Sequence, residues 1–233
     1  MLYQTENQHG GDVYGGGITL DFSANTNPLG TPPGVLEAVR RGLPQLHRYP
    51  DPYCRQLVQA IAAHEQVPAS YVLCGNGAAD LIYAYCAALR PRTAVEPAPT
   101  FAEYGLGLAQ VGCRVAPYFL HQAENFDLGE GFLPFLEEKK PEVVFLCTPN
   151  NPTGRLLPLP LLERILQVCA ARGARVFLDE CFLDLTESGV SARSLLTAHP
   201  ELLILKAFTK SYGMAGIRLG YCLCADSALL HRM

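Results

Sequence analysis

From about residue 70 to the end of the chain, short β-branched or apolar runs alternate with longer amphipathic segments, and few architectures accept that order. Strands are predicted at 71–74, 93–96, 114–119, 142–147, 175–178, 202–208 and 218–223. Helices are predicted at 78–90, 104–111, 131–138 and 159–172, the last opened by Pro158 and Pro160 and closed by Gly173. Such an order specifies an α/β protein whose mostly parallel sheet carries helices on both faces. The first seventy residues differ. Gly10, Gly11, Gly15, Gly16 and Gly17, then Pro28, Gly30, Pro32 and Pro33, make an irregular arm ahead of two helices predicted at 35–43 and 53–66. No internal repeat or low-complexity segment interrupts the pattern.

Composition removes several function classes. Of 233 residues, 49% are apolar and 17% charged, which is the balance of a chain that folds around a core. Its longest apolar run, 81–89, is half of the roughly 18 to 20 residues that a membrane-spanning helix needs. Residues 1–10 are polar and lack the basic and apolar regions of a secretory signal, so a cytoplasmic location is expected. Nine cysteines, at 54, 74, 86, 113, 147, 169, 181, 222 and 224, are odd in number and sit mostly in apolar stretches, the pattern of buried free thiols. No CxxC occurs, and Cys222-x-Cys224 has no second pair to complete a zinc site, so no metal is expected. A net charge of −4 without a basic block argues against nucleic acid and leaves a small molecule as the expected partner.

Four segments carry chemistry through their order and spacing. In CGNGAAD at 74–80, Gly75 and Gly77 separate a strand from a helix, so backbone amides at the helix N-terminus can cradle an anion; the same residues also make a tight turn. TPNNPTG at 148–154 places Asn150 and Asn151 at the carboxyl end of an apolar strand, where open α/β sheets bind ligands; Asn-Pro is also common turn punctuation. In RVFLDECF at 175–182 an apolar strand runs into Asp179, whose carboxylate, if deep, needs a cationic partner; a surface strand end is the alternative. In LKAFTKSYGMAGIRLGY at 205–221, Lys210 lies among small residues eight positions before Arg218. A lysine confined near other cations loses affinity for its proton and becomes an amine nucleophile, whereas most lysines are merely solvated.

Together the segments offer amides and Arg218 to a phosphate, Asn151 to a phenolic oxygen, Asp179 to a protonated ring nitrogen and Lys210 to an aldehyde. Pyridoxal 5'-phosphate has those four handles. With PNNPTG, the Asp of LDE and TKSYGMAGIRLGY in this order, the chain resembles the fold-type I pyridoxal-phosphate enzymes of the class I/II aminotransferase superfamily, over about residues 20–224. The resemblance implies the large domain of that fold, a three-layer α/β/α arrangement. It implies that Lys210 joins the cofactor's aldehyde and that Asp179 keeps the ring nitrogen protonated. It further implies that Thr209 and Arg218, with the amides of Gly77, Ala78 and Ala79, bind the phosphate, and that Phe101 stacks on the ring; a core phenylalanine is the alternative for Phe101. Tyr49, in RYPD, matches a tyrosine lent to the phosphate of a neighbouring subunit, which implies a homodimer. Two residues depart from the pattern: Phe182 stands where many relatives have a tyrosine, and Ala207 where many have a hydroxyl.

Within that superfamily two subfamilies are close, threonine-phosphate decarboxylases and histidinol-phosphate aminotransferases. The arm, with HGGD at 9–12 and LDFSANTNPLG at 20–30, is similar to the decarboxylases, as are PTFAEY at 99–104 and Phe182 after Asp-Glu-Cys. That likeness implies decarboxylation of L-threonine O-3-phosphate for cobalamin side-chain assembly, with histidinol-phosphate transamination and a non-catalytic protein or inactive fragment of the same fold as the alternatives, and substrate contacts from His9, Gly10, Asn25 and Asn151. It also implies an arm at 1–34 contributing to the substrate site and a cofactor domain at 35–225. Residues 226–233 would then begin a C-terminal small domain whose remainder is missing.

Overall fold

The computed structural model describes residues 10–233. Its centre is a seven-stranded sheet of β1 (Val72–Gly75), β2 (Thr93–Ala98), β3 (Arg114–Phe119), β4 (Val143–Cys147), β5 (Arg175–Asp179), β6 (Leu202–Ala207) and β7 (Gly220–Cys224). The spatial order is β1-β7-β6-β5-β4-β2-β3, and β7 alone runs antiparallel to its neighbours. The central strands β4 and β6 are buried along their whole length, as expected of a parallel sheet covered on both faces. The layered α/β architecture expected from the alternation is the one observed.

Helices α1 (Pro33–Gly42), α2 (Arg55–Glu65), α3 (Ala78–Leu89), α4 (Ala102–Gln110), α5 (Phe132–Lys139), α6 (Leu159–Ala170), α7 (Phe208–Ser211) and α8 (Ser227–Arg232) complete the chain. On one face α2, α5 and α6 pack Ile61, Phe132, Leu136, Leu162 and Ile165 against Val144, Val176, Leu202 and Ile204. On the other, α3, α4 and α8 pack Ile82, Tyr85, Tyr104, Leu108 and Leu229 against Phe145, Phe177, Leu203 and Cys222. An aromatic tier floors this second layer: Phe145 stacks on Phe177 at 4.7 Å between centroids, and Tyr104 stacks on Phe145 at 5.3 Å. Six of the nine cysteines are buried in these layers, and none of the nine is in a disulfide. Among the described residues no helix is long and apolar enough to cross a membrane.

Two strand boundaries depart from expectation by two residues: β2 runs on to Ala98 where 96 is expected, and β7 starts late. The predicted strand at 218–223 begins at Gly220, because Arg218 sits in a left-handed turn at φ 59° and its side chain swings to the start of α3. Gly220 is required there: a Cβ on it would lie 2.9 Å from the carbonyl carbon of Gly77. The arm also differs from the body. Helix α1 buries none of its residues, although Leu36, Val39 and, just beyond it, Leu43 form an apolar stripe.

A buried ion network ties α2 to the sheet on the face of Ile61 and Phe132. Lys206 on β6 lies 3.1 Å from Glu65 on α2, 3.5 Å from Asp184 and 4.0 Å from Glu180. Tyr221 donates its hydroxyl to Glu65 Oε1 at 2.5 Å, and Arg193 reaches Glu65 Oε2 at 3.2 Å. Burial pushes the Glu65 carboxyl up, but Tyr221, Lys206 and Arg193 outweigh it and hold it below the usual range. Replacing Lys206 by Met leaves Glu65 and Glu180 buried without their shared cation, which destabilises the fold by about 3–5 kcal/mol in urea denaturation at neutral pH. That loss shrinks on acidification, since a protonated carboxyl needs no cation.

Candidate active site

At the carboxyl edge of the parallel strands an open cleft of about 170 Å³ is lined by Ala78, Ala79, Phe101, Asn151, Asp179, Thr209, Lys210 and Arg218, together with Tyr104, Cys147, Cys181, Phe182 and Ala207. The elements that deliver these side chains are far apart in sequence and meet only through the sheet. Asp179 ends β5, Lys210 lies on α7 directly after β6, and Ala78 and Ala79 open α3. Asp179 is thus not a surface strand end, being only 4% exposed.

The anion-binding corner is built around Gly77. This residue caps α3 at φ 89°, a conformation that side chains strain to adopt, and no side chain occupies the cap. A Cβ on Gly77 would lie 2.8 Å from Arg218 Nη2, so the missing side chain is what lets the guanidinium reach the helix N-terminus. Unpaired amides of the first helical turn, the positive end of the helix and a guanidinium together suit a phosphate. Arg218 is held in the corner by donating Nη1–H to the carbonyl of Ala215 at 3.1 Å.

Across the cleft Asp179 is held on both oxygens. The Cys181 amide donates to Oδ1 at 2.8 Å and the Tyr104 hydroxyl donates to Oδ2 at 2.7 Å. Burial nevertheless pushes its carboxyl above the usual range, against the pull of these donors and of Lys210. A cation placed beside it, such as a protonated ring nitrogen, relieves that cost. Lys210 is shifted the other way: burial and the positive charge of Arg218 lower its affinity for a proton, opposed by Cys181 and Asp179. Its Nζ lies 5.2 Å from the centroid of the Phe182 ring, which supplies a π-face where a tyrosine would supply a hydroxyl.

The two asparagines of the 148–154 segment separate by role. Asn150 is buried and braces the loop, accepting from Thr100 Oγ1 at 2.8 Å and donating to the Pro99 carbonyl and to Thr153 Oγ1, both at 3.0 Å. Asn151 faces the cleft and also a neighbouring hollow shared with Asn25, Thr26, Phe182 and Thr186. Asn25 therefore meets Asn151 across that hollow and does not line the cofactor cleft. Gly10 lies outside both, against Ser23. Tyr49 is fully exposed and lines neither space in its own chain. His9 lies outside the described residues.

Tyr104 closes the PTFAEY segment, and nothing local to that segment signals its role. The missing signal is three-dimensional: α4 turns residue 104 inward beneath Phe101, whose ring meets it edge-on at 5.6 Å, so that the hydroxyl reaches a strand 75 positions away.

Comparison with known proteins gives the family. The family model for aminotransferase class I and II matches residues 18–233. Threonine-phosphate decarboxylase of Salmonella typhimurium is 42% identical over 92% of this chain and 58% of its own length. Histidinol-phosphate aminotransferase of Desulfitobacterium hafniense is 35% identical over 91% and 59%. The crystal structure of histidinol-phosphate aminotransferase from Clostridium acetobutylicum superposes with a TM-score of 0.80 at 26% identity, over 90% of this chain and 62% of that one. The chain thus spans about three fifths of the length of the relatives it matches. It belongs to the aminotransferase class I and II family.

Proposed function

We propose that the chain is the cofactor-binding part of a cytoplasmic pyridoxal-phosphate enzyme that decarboxylates L-threonine O-3-phosphate to (R)-1-aminopropan-2-ol phosphate, in the assembly of cobalamin. The observation that carries the cofactor assignment is the convergence of Asp179, Lys210, Arg218 and the α3 N-terminus on one cleft. The residues fit the group: the glycine cradle accepts its phosphate, the buried carboxylate its ring nitrogen and the amine its aldehyde. When bound, pyridoxal phosphate supplies an electron sink for the carbanion left when a bond at the substrate's Cα breaks.

The remaining work belongs to the chain. Arg218, Thr209 and the amides of Gly77, Ala78 and Ala79 would anchor the phosphate, and Phe101 and Asn151 would hold the ring. Asp179 would keep the ring nitrogen protonated, with Tyr104 and the Cys181 amide favouring its ionised form. Lys210 Nζ would face the aldehyde carbon and, as an amine of lowered proton affinity, would hold or deliver a proton at the substrate's Cα. Asn25 and Asn151, with His9 and Gly10 of the arm, would receive the phosphorylated substrate. The choice of decarboxylation rests on the arm and on the 42% identity to a decarboxylase. A second reading, transamination of histidinol phosphate, is favoured by the relatives with that activity at 35% identity.

A homodimer belongs to the same proposal. Leu20, Phe22, Leu29, Leu46 and Tyr49 are 75–100% exposed along the arm and α1 region, an apolar surface that a second copy would cover while lending Tyr49 to its partner's phosphate.

Incubating the cofactor-loaded protein with threonine phosphate should release carbon dioxide; brisk transamination of histidinol phosphate with 2-oxoglutarate and no gas would establish the second reading instead. Lys210→Ala should abolish the visible absorbance that cofactor addition produces. Replacing Tyr104 by Phe removes a donor that favours ionised Asp179, so the carboxyl titrates still higher. Cofactor affinity in the variant should fall about tenfold and its acid-side inflection move to higher pH, as measured by absorbance titration.

A further inference from the structure

Residues 12–53 are exposed almost without exception; only Asn27, Thr31, Pro32 and Val35 are partly covered. Two of these four make side-chain bonds to the turn that carries Lys210. Asn27 donates its backbone N–H to the Lys210 carbonyl at 3.0 Å and its Nδ2–H to the Ser211 carbonyl at 2.9 Å. Thr31 donates its hydroxyl to the Gly213 carbonyl at 2.7 Å. Between these bonds the two backbones touch: a Cβ on Gly213, itself at φ 58°, would lie 2.9 Å from the carbonyl carbon of Gly30. The donors are preorganised, since Asn27 Oδ1 accepts the Leu29 amide at 2.9 Å and the Gly30 amide donates to the Asn27 carbonyl at 3.0 Å, which fixes the side chain and closes the turn.

We infer that Asn27 and Thr31 are positioning residues for Lys210, holding the main chain of residues 210–213 so that the amine meets the cleft in one orientation. Helix α7 has a single turn, too short to hold itself, and the carbonyls of 210, 211 and 213 need donors. The arm supplies those of 211 and 213 and adds a donor to the carbonyl of 210, which also accepts the Gly213 amide at 3.4 Å. Asn25, two residues before Asn27, faces the hollow beside Asn151, so the chain that meets the substrate space continues directly into the clasp on the lysine. The inference rests on the assignment of Lys210 as the attachment point.

The test adds pyridoxal phosphate to the cofactor-free protein and follows the rise of visible absorbance, its pH midpoint, and thermal unfolding by circular dichroism. Asn27→Asp keeps the acceptor for Leu29 but sets a carboxylate oxygen against the Ser211 carbonyl, and Thr31→Val removes one donor at nearly constant shape. Each should slow attachment about threefold to tenfold and displace the pH midpoint. Thr31→Ser, which keeps the hydroxyl, should behave as the parent. Parental rates and midpoints in both Asn27→Asp and Thr31→Val would overturn the inference, as would a Thr31→Ser protein as slow as Thr31→Val. A lowered melting temperature with parental rates and midpoints would make the contacts merely structural and overturn it too. Should Asn27→Asp fail to fold, Thr31→Val decides by the same readouts. Lys210→Ala separates the two levels: if it keeps the parental absorbance, Lys210 is not the attachment point and both fall. If it loses the absorbance while the arm variants match the parent, only the role of the arm falls.

Discussion

A carboxylate buried at the end of an apolar strand is the constraint on which the rest of the site depends. Asp179 cannot remain ionised at 4% exposure without donors and a neighbouring positive charge. The structure meets the demand in part, with one amide, one phenol and a lysine nearby, and burial still raises its proton affinity. What remains unmet is a specific requirement, a cation at the mouth of the cleft. Under the proposed function that residual cost would favour a positively charged ring, and Tyr104, which touches no solvent, would act on binding through Asp179.

Strand alternation divides the chemistry between the two faces of the sheet. Successive residues point to opposite sides, so Asp179 faces the cleft while Glu180 enters the ion network, and Ala207 lines the cleft while Lys206 enters that network. The network joins β6, β7, α2 and the segment after β5 behind the same strand ends that present Asp179 and Lys210. A buried ion network of this kind adds little net stability, but it punishes any displacement of its members. Relative placement of two strand ends on the binding face is thereby fixed by charges on the other.

How much of this was legible in the sequence depends on the range of the interaction. Strands β3 and β4 and helix α3 agree with the predicted segments to within one residue at each end, because each is set by local periodicity and by Gly or Pro at its ends. The strand expected at 218 begins at 220, because a long-range contact between Arg218 and the α3 N-terminus overrides local preference. Likewise the motif residues around Asp179 and Lys210 were readable one by one. The division of labour between Asn150 and Asn151, the Tyr104 bond and the placement of Asn25 in a side hollow were not, since each is decided by partners 50 or more positions away.

The arm shows the same principle in reverse, a segment whose local sequence looks like punctuation and whose meaning is tertiary. Glycine and proline at this density leave the segment little means of burying itself, and nearly all of it is exposed. A segment with so few contacts would lose its order to conformational entropy unless a few bonds were strong and well placed. Its best bonds converge on the turn of Lys210, a part of the cleft that no strand or long helix holds. An arm anchored there, apolar and uncovered elsewhere, can be packed from outside without moving its anchor. Covering Leu20, Phe22 and Leu29 would then stiffen the lysine turn through Asn27 and Thr31, which couples association to the geometry of the reacting amine.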